Sequence, residues 1–355
     1  LEKESKAKMK SSISPLYKLF DIKKLSHIAG FSYNMLVKYS SLPAKKFSLM
    51  LNNLLHTPAD EATLRFLYPL KEGELCLVCP FGIGDTLITA GLVYAIKERY
   101  QIEKVMLLVK SNHVHIAKIF QSVDRICVLD DKVTLFEKQS NSFTIKNQQL
   151  GSNNYFFAHF ENYSIPHFIG YKNINLLDCY RALFKLNFET KLETPINLAD
   201  TDRYCFRLFK THNIREGRTV LIAPSAASVS LLSIDFWLSV CKILKSRDYD
   251  IVLNSDFGKE ILNPYATYID LPLKYLADFS MIAGKVIALR SGLCDFLSLY
   301  PINLTVLYPA ITWHSGKLID GTGLKEMGLS DKVTEFEIDL ASLESKTFFS
   351  YLSDF

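Results

Sequence analysis

A run of about 18 consecutive apolar residues, roughly the minimum for a helix that crosses a bilayer, is missing from the 355-residue chain. The charged opening LEKESKAKMK lacks an apolar stretch as well, so no secretory leader is expected there. Cysteine is sparse: seven residues, an odd number, scattered over expected strands and helices. That usage argues against a disulfide scaffold and suits a reducing, cytoplasmic setting. Cys76 and Cys79 form C-x-x-C, but no second Cys or His pair stands at zinc spacing, so both are read as core of a strand. Basic residues are not interleaved with aromatic ones and no nucleic-acid motif is present, which argues against DNA or RNA. No metal-ligand cluster is evident either, so chemistry without metal or cofactor is expected. Asp200-Thr201-Asp202 does spell D-x-D, but it precedes a helix on a linker, where acids act as caps and solvated charge.

What is present is a globular composition, 48% hydrophobic and 22% charged, with length enough for two domains. The net charge of +4 is unevenly placed. Residues 1–72 hold 12 Lys and Arg against 6 Asp and Glu, which leaves the remainder slightly acidic. In that stretch Leu16, Leu19, Phe20, Ile28, Phe31, Met35 and Leu36 recur at helical spacing, with breaks near Gly30 and Pro43. A basic helical extension is expected over 1–72, either as a solvated cap or in peripheral contact with the inner face of a membrane.

The densest signal lies at Leu75 to Tyr100. Leu75 to Pro80 reads as a buried parallel strand. Phe81-Gly82-Ile83-Gly84-Asp85-Thr86 is a tight turn, followed by a helix with Leu87, Leu92, Ala95 and Ile96 on one face. Strand, glycine turn and helix open a doubly wound α/β domain, and the turn lies at the carboxyl end of the strand, where such sheets bind ligands. Asp85 puts a carboxylate at that mouth. It serves either as a functional acid or as a cap of the helix.

Alternation continues downstream. Strands are expected at Lys104 to Val109, Arg125 to Leu129 and Tyr155 to Phe160, with helices at Asn112 to Phe120 and Ile174 to Leu186. After a linker, a helix at Asp202 to His212 leads into a second series, with strands at Thr219 to Ala223, Asp250 to Asn254, Lys285 to Leu289 and Asn303 to Leu307. Helices are expected at Ile234 to Ser246, Leu273 to Ile282, Leu293 to Leu299 and Ala341 to Leu352. The expected domains are an N-terminal Rossmann-like domain over 73–190, a linker and helix over 191–216, a C-terminal Rossmann-like domain over 217–335 and a terminal helix over 336–355.

Two such domains facing each other across a crevice form the plan of GT-B glycosyltransferases. The stretches GIGDTLITAGLVYAIKERY, VLIAPSAASVSLLSIDFWLSVCKIL and LKYLADFSMIAGKVIALRSGLCDFLSLYPINLTVLYP resemble, in order, three segments of the bacterial lipopolysaccharide heptosyltransferases. The resemblance covers Leu75 to Leu129 and Thr219 to Pro309 and is one of a divergent member. Where the family has D-x-G-x-x-H, this chain has Arg290-Ser291-Gly292-Leu293-Cys294-Asp295. Ser233, Ile234 and Asp235 stand where the family places a basic residue.

The resemblance implies an inverting, metal-independent glycosyltransferase, moving a hexosyl or heptosyl group from a nucleotide sugar to a glycan, lipid-linked or protein acceptor in surface polysaccharide synthesis. Asp85 would be the base. Gly82, Gly84, Thr86, His159 and Glu161 would line the acceptor side. Ser225, Ser228, Arg290, Ser291, Gly292 and Asp295 would hold the donor, with Arg290 either on the diphosphate or in an ion pair with Asp295. His167 and His314 are weaker candidates. Two other readings stand beside this one: a nucleotide-sugar epimerase or hydrolase of the same shape, and a degenerate transferase that only binds.

Overall fold

In the computed structural model of the chain, residues 57–58, 61–130, 133–134, 150–159, 174–196, 202–313, 316–340 and 346–355 are described. The expected extension over 1–72 lies largely outside them, as do Glu161, His167, His314 and the first two residues of the D-x-D. The chain divides into two compact units, Leu1–Thr63 with Asp131–Gln139 and Leu64–Asp130 with Ser140–Phe355. Within the first, Thr57–Pro58 pairs in parallel with Val133–Thr134.

The second unit holds two parallel sheets. Apolar Glu74–Cys79 forms β1, buried along its whole length. Its one charged side chain, Glu74, is paired with Arg125. Burial raises the Glu74 carboxyl, but the Arg125 guanidinium and the Lys71 N–H outweigh it and hold the group below its usual range. Strands β2 (Lys104–Val109) and β3 (Arg125–Val128) follow on one side of β1, and β4 (Tyr155–Phe157) lies on the other, giving the order β3-β2-β1-β4. The helix expected after the turn is two, α1 (Ile83–Gly91) and α2 (Val93–Tyr100). The join coincides with a crossing segment, for the Glu193 N–H donates to the Gly91 carbonyl at 2.8 Å. A further helix of this half, α3 (Leu176–Leu183), is capped by Asn175, whose Oδ1 accepts from the Asp178 N–H at 2.9 Å.

Helix α4 (Asp202–His212) leads into the second sheet and packs Phe209 on Phe279, with ring centroids 4.8 Å apart. The sheet's strands are β5 (Thr219–Ala223), β6 (Asp250–Leu253), β7 (Thr267–Tyr268), β8 (Gly284–Leu289), β9 (Asn303–Pro309) and β10 (Thr334–Ile338). Their order is β10-β9-β8-β5-β6-β7, all parallel. Numbered from its own first strand this is 3-2-1-4-5-6, the doubly wound nucleotide-binding order. Helices α5 (Ile234–Ser246), α6 (Leu273–Ala283), α7 (Gly292–Ser298) and α8 (Lys346–Ser353) accompany it. β10 was not expected from the sequence. It carries the sheet past residue 335, and its Phe336 packs on Phe348 of α8 at 5.3 Å.

The two sheets are not independent bodies. One apolar cluster runs from Leu77 and Leu107 through Phe209 and Phe279 to Leu221 and Val286. Helices α1 and α7, one from each half, also touch. A Cβ on Gly84 would lie 2.5 Å from Asp295 Oδ2, and one on Gly292 would lie 2.5 Å from the Gly84 nitrogen. Only bare Cα atoms allow this approach. At this point the expected crevice is closed by backbone contact.

Candidate functional site

In a doubly wound sheet the ligand crevice opens at the carboxyl ends of the two strands between which the chain reverses its direction of travel. In the first sheet those strands are β1 and β4. The loop after β1 carries Gly82, Gly84, Asp85 and Thr86, and the segment after β4 carries His159. The His159 ring lies on that of Phe81, the residue before Gly82, with centroids 3.8 Å apart. Glu161 lies outside the described residues.

Asp85 is half-buried and held on both oxygens. Its Oδ2 accepts from the Gly82 N–H at 2.9 Å, and its Oδ1 accepts from the Tyr180 hydroxyl at 2.6 Å. The first bond is a helix-start contact, so the capping role anticipated for Asp85 is present, with Gly82 as the N-cap residue itself. The second reaches across to α3 and is no part of capping. Thr86 Oγ1 donates to the Gly82 carbonyl at 3.1 Å and lies 3.1 Å from Nδ1 of buried His113, which follows β2. Burial and the Lys110 charge hold His113 below its usual range, opposed by Asp85, so its ring is neutral at pH 7.

In the second sheet the reversal lies between β5 and β8. After β5, Ser225 and Ser228 are exposed, and Ser225 Oγ lies 2.9 Å from Ser255 Oγ on the loop after β6. After β8 comes the hexad that starts with Arg290. Arg290 is 4% exposed and Asp295 1%. Arg290 Nη1 donates to Asp295 Oδ2 at 3.2 Å and to the Ser291 carbonyl at 2.5 Å, while Nε donates to the Thr322 carbonyl at 2.8 Å. Nη2 is 2.8 Å from Asp295 Oδ1, yet that oxygen makes no aligned hydrogen bond, so the contact is an ion pair off the N–H axis.

Of the two expectations for Arg290, the ion pair with Asp295 is therefore formed. The first and last positions of the hexad, Arg290 and Asp295, thus bind one another. Burial pushes the Asp295 carboxyl up to about 6, against the pull of Arg290 and with a push from the nearby Asp85 charge. The expected free anion site at the start of α7 is not open here. Its Gly292 is covered by Ile83 and Gly84, and Asp295 already places a carboxylate beside the guanidinium.

His113 and Ser255 were not singled out in the sequence, and Tyr180, noted there beside Asp178 and Arg181, was given no role. Tyr180 sits on the buried face of an amphipathic helix and there looks like any core aromatic. A depression of about 630 Å³ lined by Tyr94, Lys97, Gln101 and Ser122 lies at the opposite, amino-terminal edge of the first sheet. It takes no part in this geometry. Among the described residues no three His, Cys, Asp or Glu side chains gather as a metal site, and no helix is long and apolar enough to cross a membrane.

Two parallel sheets, each flanked by helices, define a doubly wound α/β protein. Solved structures narrow this to one shape. The chain is similar to ADP-heptose lipopolysaccharide heptosyltransferase II of E. coli, with TM-score 0.55 and 14% identity over 79% of this chain and 97% of that one. It is also similar to a glycosyl transferase family 9 structure from Veillonella parvula, with TM-score 0.54 and 10% identity over 79% and 88% of the two chains. No protein-family model and no curated protein sequence matches. The fold is thus that of the heptosyltransferase-like GT-B glycosyltransferases, in divergent form.

Proposed function

We propose that this chain is a glycosyltransferase that moves a sugar from a nucleotide-sugar donor to a glycan or glycoconjugate acceptor in surface polysaccharide synthesis. The observation that carries the reading is Asp85. It is an acid on a glycine turn at the first sheet's reversal point, held on both oxygens, in a fold shared with heptosyltransferases. In the proposed reaction Asp85 takes the proton of the acceptor hydroxyl. The acceptor oxygen bonds to the anomeric carbon from the side opposite the leaving group, so the centre inverts. The bond from that carbon to the diphosphate oxygen breaks, and the nucleoside diphosphate leaves with the electron pair. His159 and Thr86 sit on the acceptor side.

The donor is proposed to lie on the second sheet's carboxyl edge, against Ser225 and Ser228, with Arg290, Ser291, Gly292 and Asp295 as the wall behind it. Direct contact of Arg290 with the diphosphate would require its present bonds to exchange. Neither metal nor cofactor takes part in the proposal, and the setting is the cytoplasm, at the inner face of the membrane if the basic residues of 1–72 bind lipid.

The closed contact of Gly84 with Gly292 favours a second reading, a transferase-shaped protein that binds without turnover. Turnover separates the two. The wild-type chain should release nucleoside diphosphate from a nucleotide sugar, and Asp85→Asn should lower that rate about 100-fold or more while nucleotide binding persists. Binding with no release in the wild type would favour the second reading.

A further inference from the structure

Helix α3 is fastened at both ends of a short lever. At its start Asn175 is buried, and its Nδ2 donates to the carbonyl of Glu326, beyond β9, at 3.0 Å. Five residues on, Tyr180 is fully buried and donates to Asp85 Oδ1 at 2.6 Å. Next to Tyr180, Arg181 braces the helix, through Nη1 to Asp178 Oδ1 at 2.7 Å and Nε to the Thr190 carbonyl at 2.8 Å. Burial and the Asp85 charge push the Tyr180 phenol well above its usual 10, so the hydroxyl stays a donor at any working pH.

A carboxylate turns about its Cβ–Cγ bond unless both oxygens are held. For Asp85 the Gly82 N–H holds one and the Tyr180 hydroxyl the other, from two separate elements. Two donors on different oxygens fix the plane of the group. Each oxygen keeps a second lone pair for a substrate proton. A core tyrosine whose hydroxyl merely needed a partner would be served by any backbone carbonyl. This one instead ends on the proposed base.

We infer that Tyr180 is a positioning residue that fixes the plane of the Asp85 carboxylate for proton transfer, and that α3, through Asn175, makes this orientation depend on the second half of the molecule. The inference rests on the reading of Asp85 as the base.

The test uses the full chain with ADP-heptose, ADP-glucose, UDP-glucose and GDP-mannose as donors and water as the stand-in acceptor. Release of nucleoside diphosphate is followed in steady state. Tyr180→Phe keeps the ring and is expected to lower kcat about tenfold with the donor KM unchanged. The double variant with Asp85→Asn should be no slower than Asp85→Asn alone, because the hydroxyl acts only through that carboxylate. Should the Phe variant fail to fold, Asn175→Ser keeps a cap but loses the donor to Glu326, and it is expected to lower kcat several-fold at constant KM. Unchanged kcat in a folded Tyr180→Phe, with Asp85→Asn inactive, overturns the inference and leaves the base in place. A wild-type chain that neither binds nor cleaves any of the four donors overturns the transferase reading and the inference with it.

Discussion

Asp295 is the residue where physical chemistry departs furthest from habit. Its carboxyl is pushed up to about 6 from an ordinary 3.8, chiefly because it is buried, although Arg290 lies beside it. Between pH of about 4 and about 6 the folded chain holds this proton and the unfolded chain has lost it, so the group's contribution to stability falls as pH rises through that window and is level above it. Denaturant unfolding of wild type and Asp295→Asn from about pH 3.5 to about 8 checks this. The wild-type-minus-variant difference should decline over the window and then stay flat. A rising difference would mean that Arg290 outweighs burial. Removing only the cation, in Arg290→Met, strands the acid and should cost about 3–5 kcal/mol.

At the scale of elements, the contact of α1 with α7 is set by two glycines. Gly84→Ala would place a methyl group 2.5 Å from Asp295 Oδ2 and against Gly292. Overpacking of this kind should cost about 1–3 kcal/mol, read as a lower urea midpoint at unchanged slope. Most elements were legible in the sequence because their periods are strong. Asp202–His212, Thr219–Ala223 and Ile234–Ser246 fall where their apolar patterns put them. β10 was not legible, since an edge strand with half-buried residues lacks the continuous apolar run of its neighbours. The join between α1 and α2 depends on a distant segment, Leu192 and Glu193, which no local pattern reports. The site was half legible. Asp85 and the Arg290–Asp295 pair announce themselves through position and charge, whereas Tyr180 acquires meaning only when α3 is folded against the turn.

For the whole molecule, one apolar cluster joins the two sheets, while the loops that would carry chemistry gather at their carboxyl edges. A ligand that binds only the folded chain must raise its melting temperature. Nucleoside diphosphates are expected to do so, and Ser225→Ala with Ser228→Ala should shrink the shift if the donor lies on the β5 loop. An undiminished shift would move the donor elsewhere. The most direct measurement of the central claim is the rate of nucleoside diphosphate release from a bound nucleotide sugar, wild type against Asp85→Asn. The account predicts release by the wild type and a loss of about 100-fold or more in the variant at similar donor affinity. Equal rates in the two proteins would contradict it.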